Sequence, residues 1–249
     1  MAMTTHRSPR LYTERDLDGS HLELDEGEAH YLGHVLRLAR GDRLVVFNGR
    51  GAERDASVSA VQRRGATLAL GELLEPKPES SLDLTLIQAL PKSDAMDLIV
   101  QKVTELGVRA LVPVLTEFSV VKLDSERSER RLEHWRKIAR SACEQCGRHA
   151  PPRIESPAPL AAALAALPEG SERLALEPSA ERSLAEHAAP ARGLVVAIGP
   201  DGGFAAADWR RLDAARFVRV TLGPRVLRAE TAAIAVCAIA QSRWGDLRS

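Results

Sequence analysis

Two kinds of hydrophobic pattern divide the chain near residue 80. In the larger C-terminal part, continuous apolar runs such as Leu194–Ile198 alternate with segments whose apolar residues recur every three or four positions. Uninterrupted apolar runs are typical of strands covered on both faces, and a 3.6-residue period is typical of helices. The alternation therefore predicts an α/β domain with a parallel sheet. The predicted strands are 82–90, 108–115, 173–176, 194–198 and 217–222, and the predicted helices are 94–106, 126–146, 158–167 and 230–244.

The N-terminal part shows short strands separated by turn residues. An apolar run is followed by Asn48–Gly51, whose Asn-Gly pair predicts a hairpin. Residues 75–81 are polar and contain two prolines, which is typical of a linker between domains. The predicted strands here are 44–47, 56–61 and 66–70, with a helix over 28–38, and the predicted domains are a small β-rich domain of residues 1–75 and an α/β domain of residues 76–249.

Two loops of the α/β domain indicate a ligand pocket. The segment Ile198–Phe204 continues the buried strand and contains three glycines, and Gly223–Ala232 follows the next predicted strand. Ligands of open α/β sheets bind beyond the carboxyl ends of the strands, where glycine lets the backbone approach closely. The pair of loops therefore predicts one shared site, although Gly202 and Gly203 can also form a tight turn without a ligand.

The loop residues exclude two common phosphate sites. A P-loop requires Lys and then Ser or Thr after its glycines, whereas Gly203 is followed by Phe204 and Ala205. A dinucleotide fingerprint reads G-x-G-x-x-G, whereas this loop reads G-P-D-G-G-F with the anionic Asp201 inside it. The pocket is therefore predicted to hold a ligand without phosphate groups.

Composition narrows the possible partners. Among 249 residues, 34 Lys and Arg balance 34 Asp and Glu, so bulk charge argues against a general nucleic-acid binder. Locally, residues 122–153 hold nine basic and five acidic residues, a patch that suits phosphates or a solvated helix face. The start of the chain shows no apolar signal segment and no run is long enough to cross a membrane, so a cytoplasmic location is expected.

Cys143, Cys146 and His149 raise the question of a metal site. Zinc requires a second pair of ligands at a matching spacing, and the sequence offers none, so no metal is expected. A redox pair is also conceivable for C-x-x-C. Because both cysteines fall on the apolar side of the predicted helix, core packing is the preferred interpretation.

Four motifs resemble the RsmE family of 16S rRNA uridine-N3 methyltransferases, which are knotted SPOUT proteins that use S-adenosylmethionine. The motifs are Gln88–Asp94 continuing through Gln101–Gly107, Glu144–Arg148, Ile198–Phe204 and Leu222–Ala232, and the pattern covers nearly the whole chain. The chain departs from the family at Asp201, where Glu is usual, and at 205–208, where Ser-x-x-Glu is usual. The second departure removes a helix N-cap, a loss of about 1 kcal/mol.

The resemblance implies a SPOUT-type parallel sheet with a C-terminal trefoil knot, preceded by a small PUA-like or OB-like β-barrel that helps to bind RNA. It implies methylation of uridine N3 in 16S rRNA by a homodimer, with the nearly all-apolar segment 230–244 in the interface. Two alternatives stay open: a non-catalytic RNA-binding or ribosome assembly factor of the same fold, and a SPOUT methyltransferase that acts on tRNA or 23S rRNA.

The resemblance also assigns site residues. Arg228 is expected to stabilise negative charge on the uracil carbonyl oxygens, and Glu230 to orient Arg228 or accept the proton. The alternative for both residues is a structural ion pair at a helix N-terminus. The expected cofactor-binding residues are Leu176, Glu177, Pro178, Ile198, Gly199, Pro200, Asp201, Gly202, Gly203, Leu222, Gly223, Leu227, Thr231 and Ala232, and the expected RNA-binding residues are Arg10, Arg37, Lys92, Gln145 and Arg148.

Overall fold

A computed structural model describes residues 8–91, 95–118 and 125–247. Its strands are β1 Arg10–Tyr12, β2 His21–Leu24, β3 Arg43–Phe47, β4 Glu53–Gln62, β5 Gly65–Leu73, β6 Leu84–Ala89, β7 Ala110–Leu115, β8 Arg153–Ile154, β9 Ala158–Pro159, β10 Glu172–Leu176, β11 Leu194–Ile198 and β12 Val218–Val220. Its α-helices are α1 Glu26–His30, α2 Ala95–Glu105, α3 Ser125–Cys146, α4 Leu160–Ala165, α5 Ala206–Ala214 and α6 Ala229–Trp244.

Two compact units divide the described residues. The N-terminal unit contains the chain up to Pro78 and also Cys143–Ala150, and the C-terminal unit contains Glu79–Ala142 and the residues from Pro151 onward. The division falls inside the predicted linker. The return of Cys143–Ala150 to the N-terminal unit was not predicted, because no local pattern in those residues marks a change of unit.

The N-terminal unit is built on a five-stranded sheet in the order β1-β3-β4-β5-β2. The predicted hairpin is confirmed: β3 and β4 are antiparallel, with Asn48 accepting backbone N–H groups of Arg50 and Ala52 in the turn. β1 pairs with β3 in parallel, and the remaining neighbours are antiparallel. Alternating residues of these strands, among them Leu44, Val46 and Leu68, form a separate hydrophobic core.

The helix predicted over 28–38 is shorter and irregular. α1 begins with a capping box in which Asp25 accepts the N–H of Glu28 and Glu28 accepts the N–H of Asp25. After His30 the chain continues as a π-helical turn over Tyr31–Val35. Arg37 then has a φ of 57°, a left-handed conformation that ends the helix.

The C-terminal unit confirms the predicted α/β domain and its parallel sheet. Within the described residues the sheet has the order β12-β10-β11-β6-β7-β8, with the short β9 also pairing with β7, and every pair is parallel. All five residues of β11 are buried, as its uninterrupted apolar run predicted. The carboxyl ends of the adjacent strands β10, β11 and β12 therefore meet at one edge of the sheet.

Helices cover the two faces of this sheet. One hydrophobic cluster contains residues of α2, α3 and α6, and another contains residues of α4 and α5. α6 buries six apolar residues, and its remaining apolar residues are half-buried within this chain. The buried ones are Ala229, Ala232, Ala233, Val236, Cys237 and Ala240. None of the helices in the described ranges is long and apolar enough to span a bilayer.

Candidate active site

Three loops at the carboxyl edge of the sheet enclose a cavity of about 350 Å³. They follow β10, β11 and β12, and residues of α5 and of the first turn of α6 also line the cavity. A volume of this size is typical of small-molecule pockets, which range over roughly 300–1,000 Å³. The lining residues are Leu176, Glu177, Pro178, Ile198, Gly199, Pro200, Asp201, Gly202, Gly203, Phe204, Trp209, Val220, Thr221, Leu222, Arg225, Val226, Leu227, Ala229 and Ala232.

The structure brings nearly all of the predicted cofactor residues to this cavity. Every one of them lines it except Gly223 and Thr231. Gly223 lies next to the lining residue Leu222 and has a φ of 122°, so its role is to turn the chain. Thr231 is exposed in the first turn of α6, whose neighbour Ala232 contributes to the wall instead.

Geometry favours glycine at two positions of the loop after β11. A Cβ on Gly199 would lie 3.1 Å from the backbone of Gly203 and Phe204, because the loop folds back on itself there. Gly203 has a φ of 72°, and its N–H donates to the carbonyl oxygen of Pro200 at 2.7 Å. The loop is therefore a tight turn and also part of the cavity wall, and its role in ligand binding stays a prediction.

The other two loops are tied together by hydrogen bonds. The N–H of Glu177 donates to the carbonyl oxygen of Val220 at 3.0 Å, and the N–H of Thr221 donates to the carbonyl oxygen of Arg182 at 2.8 Å. The Thr221 hydroxyl also accepts the N–H of Gly223 at 3.2 Å. These bonds fix the backbone of the cavity before any ligand binds.

The chemistry of the lining fits S-adenosylmethionine. Its ionisable side chains are Glu177, Asp201 and Arg225, which give a formal excess of one negative charge, and the lining contains no lysine. A positively charged sulfonium compound without phosphates suits such a lining, since a phosphate would be repelled by the carboxylates. Apolar side chains, among them Leu176 and Leu222, provide the surface that an adenosyl group requires.

The predicted catalytic residues flank the cavity rather than line it. Arg228 is the N-cap residue of α6 and is exposed, and Glu230 is half-buried in its first turn. Ala229, between them, is part of the wall. Throughout the described ranges, neither Arg228 nor Glu230 is engaged in an ion pair, so the structural alternative proposed for them has no support in this geometry.

Sequence reasoning missed several lining residues, of which Trp209 is the most informative. Its ring centroid lies 5.2 Å from that of Phe204, and the guanidinium carbon of Arg219 lies 4.2 Å from the indole centroid. Trp209 belongs to α5 and lies outside both loops that carried the prediction. The available signal was that Trp209 follows Phe204 by five residues. Phe204 ends a loop that the sequence already assigns to the pocket.

The predicted RNA contacts fall in different surroundings. Arg37 and Gln145 are exposed, and Arg148 is half-buried. Lys92 lies outside the described residues. Arg10 forms an ion pair with Glu53 at 2.5 Å with only 10% of its side chain exposed, which opposes its prediction as a phosphate contact.

Arg10 instead belongs to a polar cluster inside the N-terminal unit. Its Nη2 donates to the carbonyl oxygen of Arg148, and its guanidinium lies over the Phe47 ring at 4.5 Å. Nearby, Glu144 accepts the Tyr12 N–H at 2.9 Å and the Tyr31 hydroxyl at 2.5 Å. Burial raises the pKa of Glu144, and the bonds from Tyr31 and Tyr12 and the charge of Arg10 oppose that shift.

Cys143 is buried and Cys146 is half-buried in this part of α3. Across the described ranges, no group of three or more metal-ligating side chains occurs.

Comparison with known families identifies the class of protein. A family model of the RNA methyltransferase domain matches residues 78–241, and one of the RNA methyltransferase PUA domain matches residues 24–70. The chain is thus an RNA methyltransferase with an N-terminal PUA domain.

Individual relatives narrow this class to one family. A ribosomal RNA small subunit methyltransferase E from Neisseria gonorrhoeae bound to S-adenosyl methionine is 33% identical with a TM-score of 0.92, covering 97% of this chain and 100% of that chain. A Legionella pneumophila structure with bound S-adenosyl methionine gives the same values. The protein of the same family from Bacillus subtilis is 30% identical over 82% of this chain and 83% of its own. The chain belongs to the ribosomal RNA small subunit methyltransferase E (RsmE) family, as its motifs predicted.

Proposed function

We propose that this protein transfers the methyl group of S-adenosylmethionine to N3 of a uridine in 16S rRNA. The observation that carries the proposal is the cavity formed by the three loops after β10, β11 and β12, whose lining suits a cationic cofactor without phosphates. Family membership and the S-adenosyl methionine bound to two close structural relatives support it. The N-terminal PUA domain supports RNA as the substrate.

The cavity residues hold and orient the cofactor. The backbone of Gly199–Gly203 and of Leu222 is available for polar contacts, and Leu176, Ile198 and Leu227 enclose apolar surface. The cofactor supplies an electrophilic methyl group on a positively charged sulfur. Holding both reactants in line can supply several kcal/mol of the barrier, because a bimolecular encounter becomes an intramolecular one.

Arg228 and Glu230 provide the chemistry of the uridine. N3 carries a weakly acidic imide proton, so the uracil must become an anion before it attacks. Arg228, exposed at the start of α6, stabilises the charge that develops on the uracil carbonyl oxygens. Glu230, two residues later in the first turn of α6, orients Arg228 or accepts the N3 proton, directly or through water.

The remaining parts of the proposal concern the assembly. We assign a trefoil knot to the C-terminal segments and a homodimer whose interface includes α6, a helix with apolar residues on nearly all sides. Arg37, Gln145 and Arg148 contact the RNA, together with Lys92. Because ribosomal RNA is the substrate, the protein acts in the cytoplasm.

The test separates cofactor binding from catalysis. Arg228→Ala should bind S-adenosylmethionine in calorimetry nearly as the wild type does, while methylation of 16S rRNA falls about 100-fold or more, in the range of a lost charge-stabilising donor. Arg210→Ala, which removes an exposed arginine of α5, is the control and should methylate normally. Equal losses of binding and methylation in Arg228→Ala would refute the catalytic role.

The choice of substrate needs a second measurement. In a strain without this protein, mass spectrometry of 16S rRNA should show the loss of one N3-methyluridine. An intact 16S rRNA with a missing methyl group in tRNA or 23S rRNA would refute the proposed substrate. A wild-type protein that does not bind S-adenosylmethionine would indicate a non-catalytic RNA-binding factor.

A further inference from the structure

The solvent face of α3 carries a row of Arg, His and Lys side chains. Arg127, Arg130, His134 and Lys137 follow one another at spacings of three, four and three residues, which places them along one line of the helix. Arg131 lies beside this line, and all five side chains are exposed. These five residues form the basic stripe, which extends over about 15 Å of the helix axis.

Two carboxylates contact the basic stripe. Glu126 pairs with Arg130 at 3.0 Å, and Asp97 of α2 pairs with His134 at 2.7 Å. All of these side chains are well accessible to solvent, and exposed ion pairs of this kind contribute little free energy. The two pairs therefore leave the stripe with a positive charge that a stronger anionic partner can use.

The positive charge belongs to one face of α3 and not to the whole helix. Within the described residues, neither Arg131 nor Lys137 of the stripe forms an ion pair. Arg136 lies about 140° around the helix from Arg131, on a flank that it shares with Glu129 and Glu133. That flank mixes the two signs of charge, as an ordinary solvated helix face does.

The stripe begins on the side of the sheet that holds the cavity. α2 joins the parallel strands β6 and β7, and α3 joins the parallel strands β7 and β8, so both helices run from the carboxyl edge of the sheet toward its amino edge. Asp97 is in the first turn of α2, whereas its partner His134 is the tenth residue of α3. The turns of α3 before His134, which carry the three arginines of the stripe, therefore lie toward the carboxyl edge.

The chemistry of the stripe fits the phosphodiester backbone of a nucleic acid. Protein interfaces are anchored by apolar or aromatic side chains, and none of the large apolar side chains exposed in the described ranges belongs to α3. The apolar face of α3 is already packed in the core through Leu132, Trp135 and Ala139, so it is not available to a membrane surface. Guanidinium and ammonium groups in a row can instead each contact a phosphate.

We propose that the basic stripe of α3 binds the phosphate backbone of the RNA substrate on its way to the cavity. The inference rests on the proposed function and adds five residues to the RNA contacts named there. Because the stripe contains no exposed tryptophan, tyrosine or phenylalanine on which bases could stack, it contributes affinity and position rather than a choice of sequence.

A matched pair of substitutions on one helix tests the stripe. Arg131→Gln removes a charge from it, and Arg136→Gln removes a charge from the flank; both arginines are exposed, and glutamine is a good helix former. For binding of a 16S rRNA fragment, the slope of log affinity against log salt should fall by about 1 in Arg131→Gln and stay unchanged in Arg136→Gln. The same fall in both variants, or none in Arg131→Gln, would overturn the inference.

A triple variant tests whether the contact is to the backbone. Arg130→Gln, Arg131→Gln and Lys137→Gln together should lower the slope by about 3. The affinity should fall by the same factor for the 16S rRNA fragment and for a fragment of equal length with a permuted sequence. A loss confined to the 16S rRNA fragment would contradict binding through phosphates. Urea unfolding checks that the triple variant is folded, and Arg131→Gln alone carries the test if it is not.

Methylation kinetics distinguish this inference from the proposed function. A contact made equally in the ground state and the transition state affects KM and not kcat, so the triple variant should raise the KM for RNA at an unchanged kcat. Its affinity for S-adenosylmethionine in calorimetry should equal that of the wild type. A fall in kcat at an unchanged KM would overturn the inference. Wild-type protein that does not methylate 16S rRNA would refute the proposed function, whereas methylation that is indifferent to the stripe would refute only this inference.

Discussion

Glu144 is a carboxylic acid in surroundings that disfavour its charge. Burial raises its pKa, and the hydrogen bonds from Tyr31 and Tyr12 and the nearby charge of Arg10 only partly offset that effect. The folded protein therefore holds this proton more tightly than the unfolded chain does. By linkage, the contribution of Glu144 to the free energy of unfolding is fully present below its ordinary pKa and decreases as pH rises through the raised one.

Glu144→Gln tests this dependence because it keeps the size of the side chain and removes the titration. The glutamine oxygen can still accept the Tyr12 N–H. The free energy of unfolding of the wild type in urea should exceed that of the variant by more at pH 4 than at pH 8. Glu129→Gln, at an exposed position of α3, is the matched control. A difference that is the same at both pH values would contradict the raised pKa.

Individual residues differ in how well the sequence predicts their roles. The sequence predicts Gly199 and Gly203 at a ligand because glycine beyond the end of a buried strand lets the backbone approach a ligand closely, and both line the cavity. The sequence does not indicate the internal position of Arg10, because its partners, Glu53 and the carbonyl of Arg148, are 43 and 138 residues away along the chain. An arginine in a motif does not show whether it faces solvent or an internal carboxylate.

At the scale of elements, the start of α5 departs from the Ser-x-x-Glu pattern that is usual in the RsmE family at 205–208, and this departure affects stability. Ala205 occupies the N-cap position with extended backbone angles, φ −71° and ψ 164°, but alanine offers no acceptor. Only the reciprocal half of a capping box exists, in which Asp208 accepts the Ala205 N–H at 3.4 Å. A serine hydroxyl at position 205 would accept the free backbone N–H of Asp208 in the first turn.

Ala205→Ser should therefore raise the free energy of unfolding by about 1 kcal/mol, the usual contribution of an N-cap. Ala206→Ser, one residue later, adds the same hydroxyl at an exposed helical position and should give no gain. Thermal and urea unfolding of both variants provide the measurement. A stabilisation shared by the two variants would show that the effect is not capping.

The sequence predicted the elements of the C-terminal unit better than those of the N-terminal unit. α2 and β11 agree closely with their predicted positions, because a long 3.6-residue period and a continuous apolar run each have one main structural meaning. The helix predicted over 28–38 failed after His30, where the chain forms a π-helical turn. Its apolar spacing does not distinguish α from π, since the two differ in the backbone hydrogen-bond pattern, which here includes a bond from the Leu36 N–H to the Tyr31 carbonyl.

At the scale of the whole molecule, some features depend on contacts that no local pattern contains. Cys143–Ala150 belongs to the N-terminal unit although it ends a helix whose first residues belong to the other unit. The cavity-lining Trp209 is contacted by Arg219 of β12, ten residues later in the chain. The strands and their glycine-containing loops predicted the position of the pocket and the resemblance to RsmE supplied its cofactor, whereas the side chains particular to this protein required its structure.

Recognition of RNA is also a property of the whole molecule, because the chain has no net charge. Its binding must then depend on local groups rather than on a general positive field. Each phosphate contact releases counterions, so losing one contact reduces the slope of log affinity against log salt by about 1. Arg37 in the N-terminal unit is exposed and follows the π-helical turn, and it is one of the contacts proposed above.

Arg37→Asn and Arg216→Asn form a matched pair for this test. Both arginines are exposed and have positive φ, 57° and 63°, a conformation that asparagine tolerates, so both substitutions remove one charge with little added strain. Binding of a 16S rRNA fragment at several salt concentrations should show a slope reduced by about 1 for Arg37→Asn and an unchanged slope for Arg216→Asn. Equal reductions would mean that only total charge matters, and an unchanged slope for Arg37→Asn would remove Arg37 from the RNA contacts.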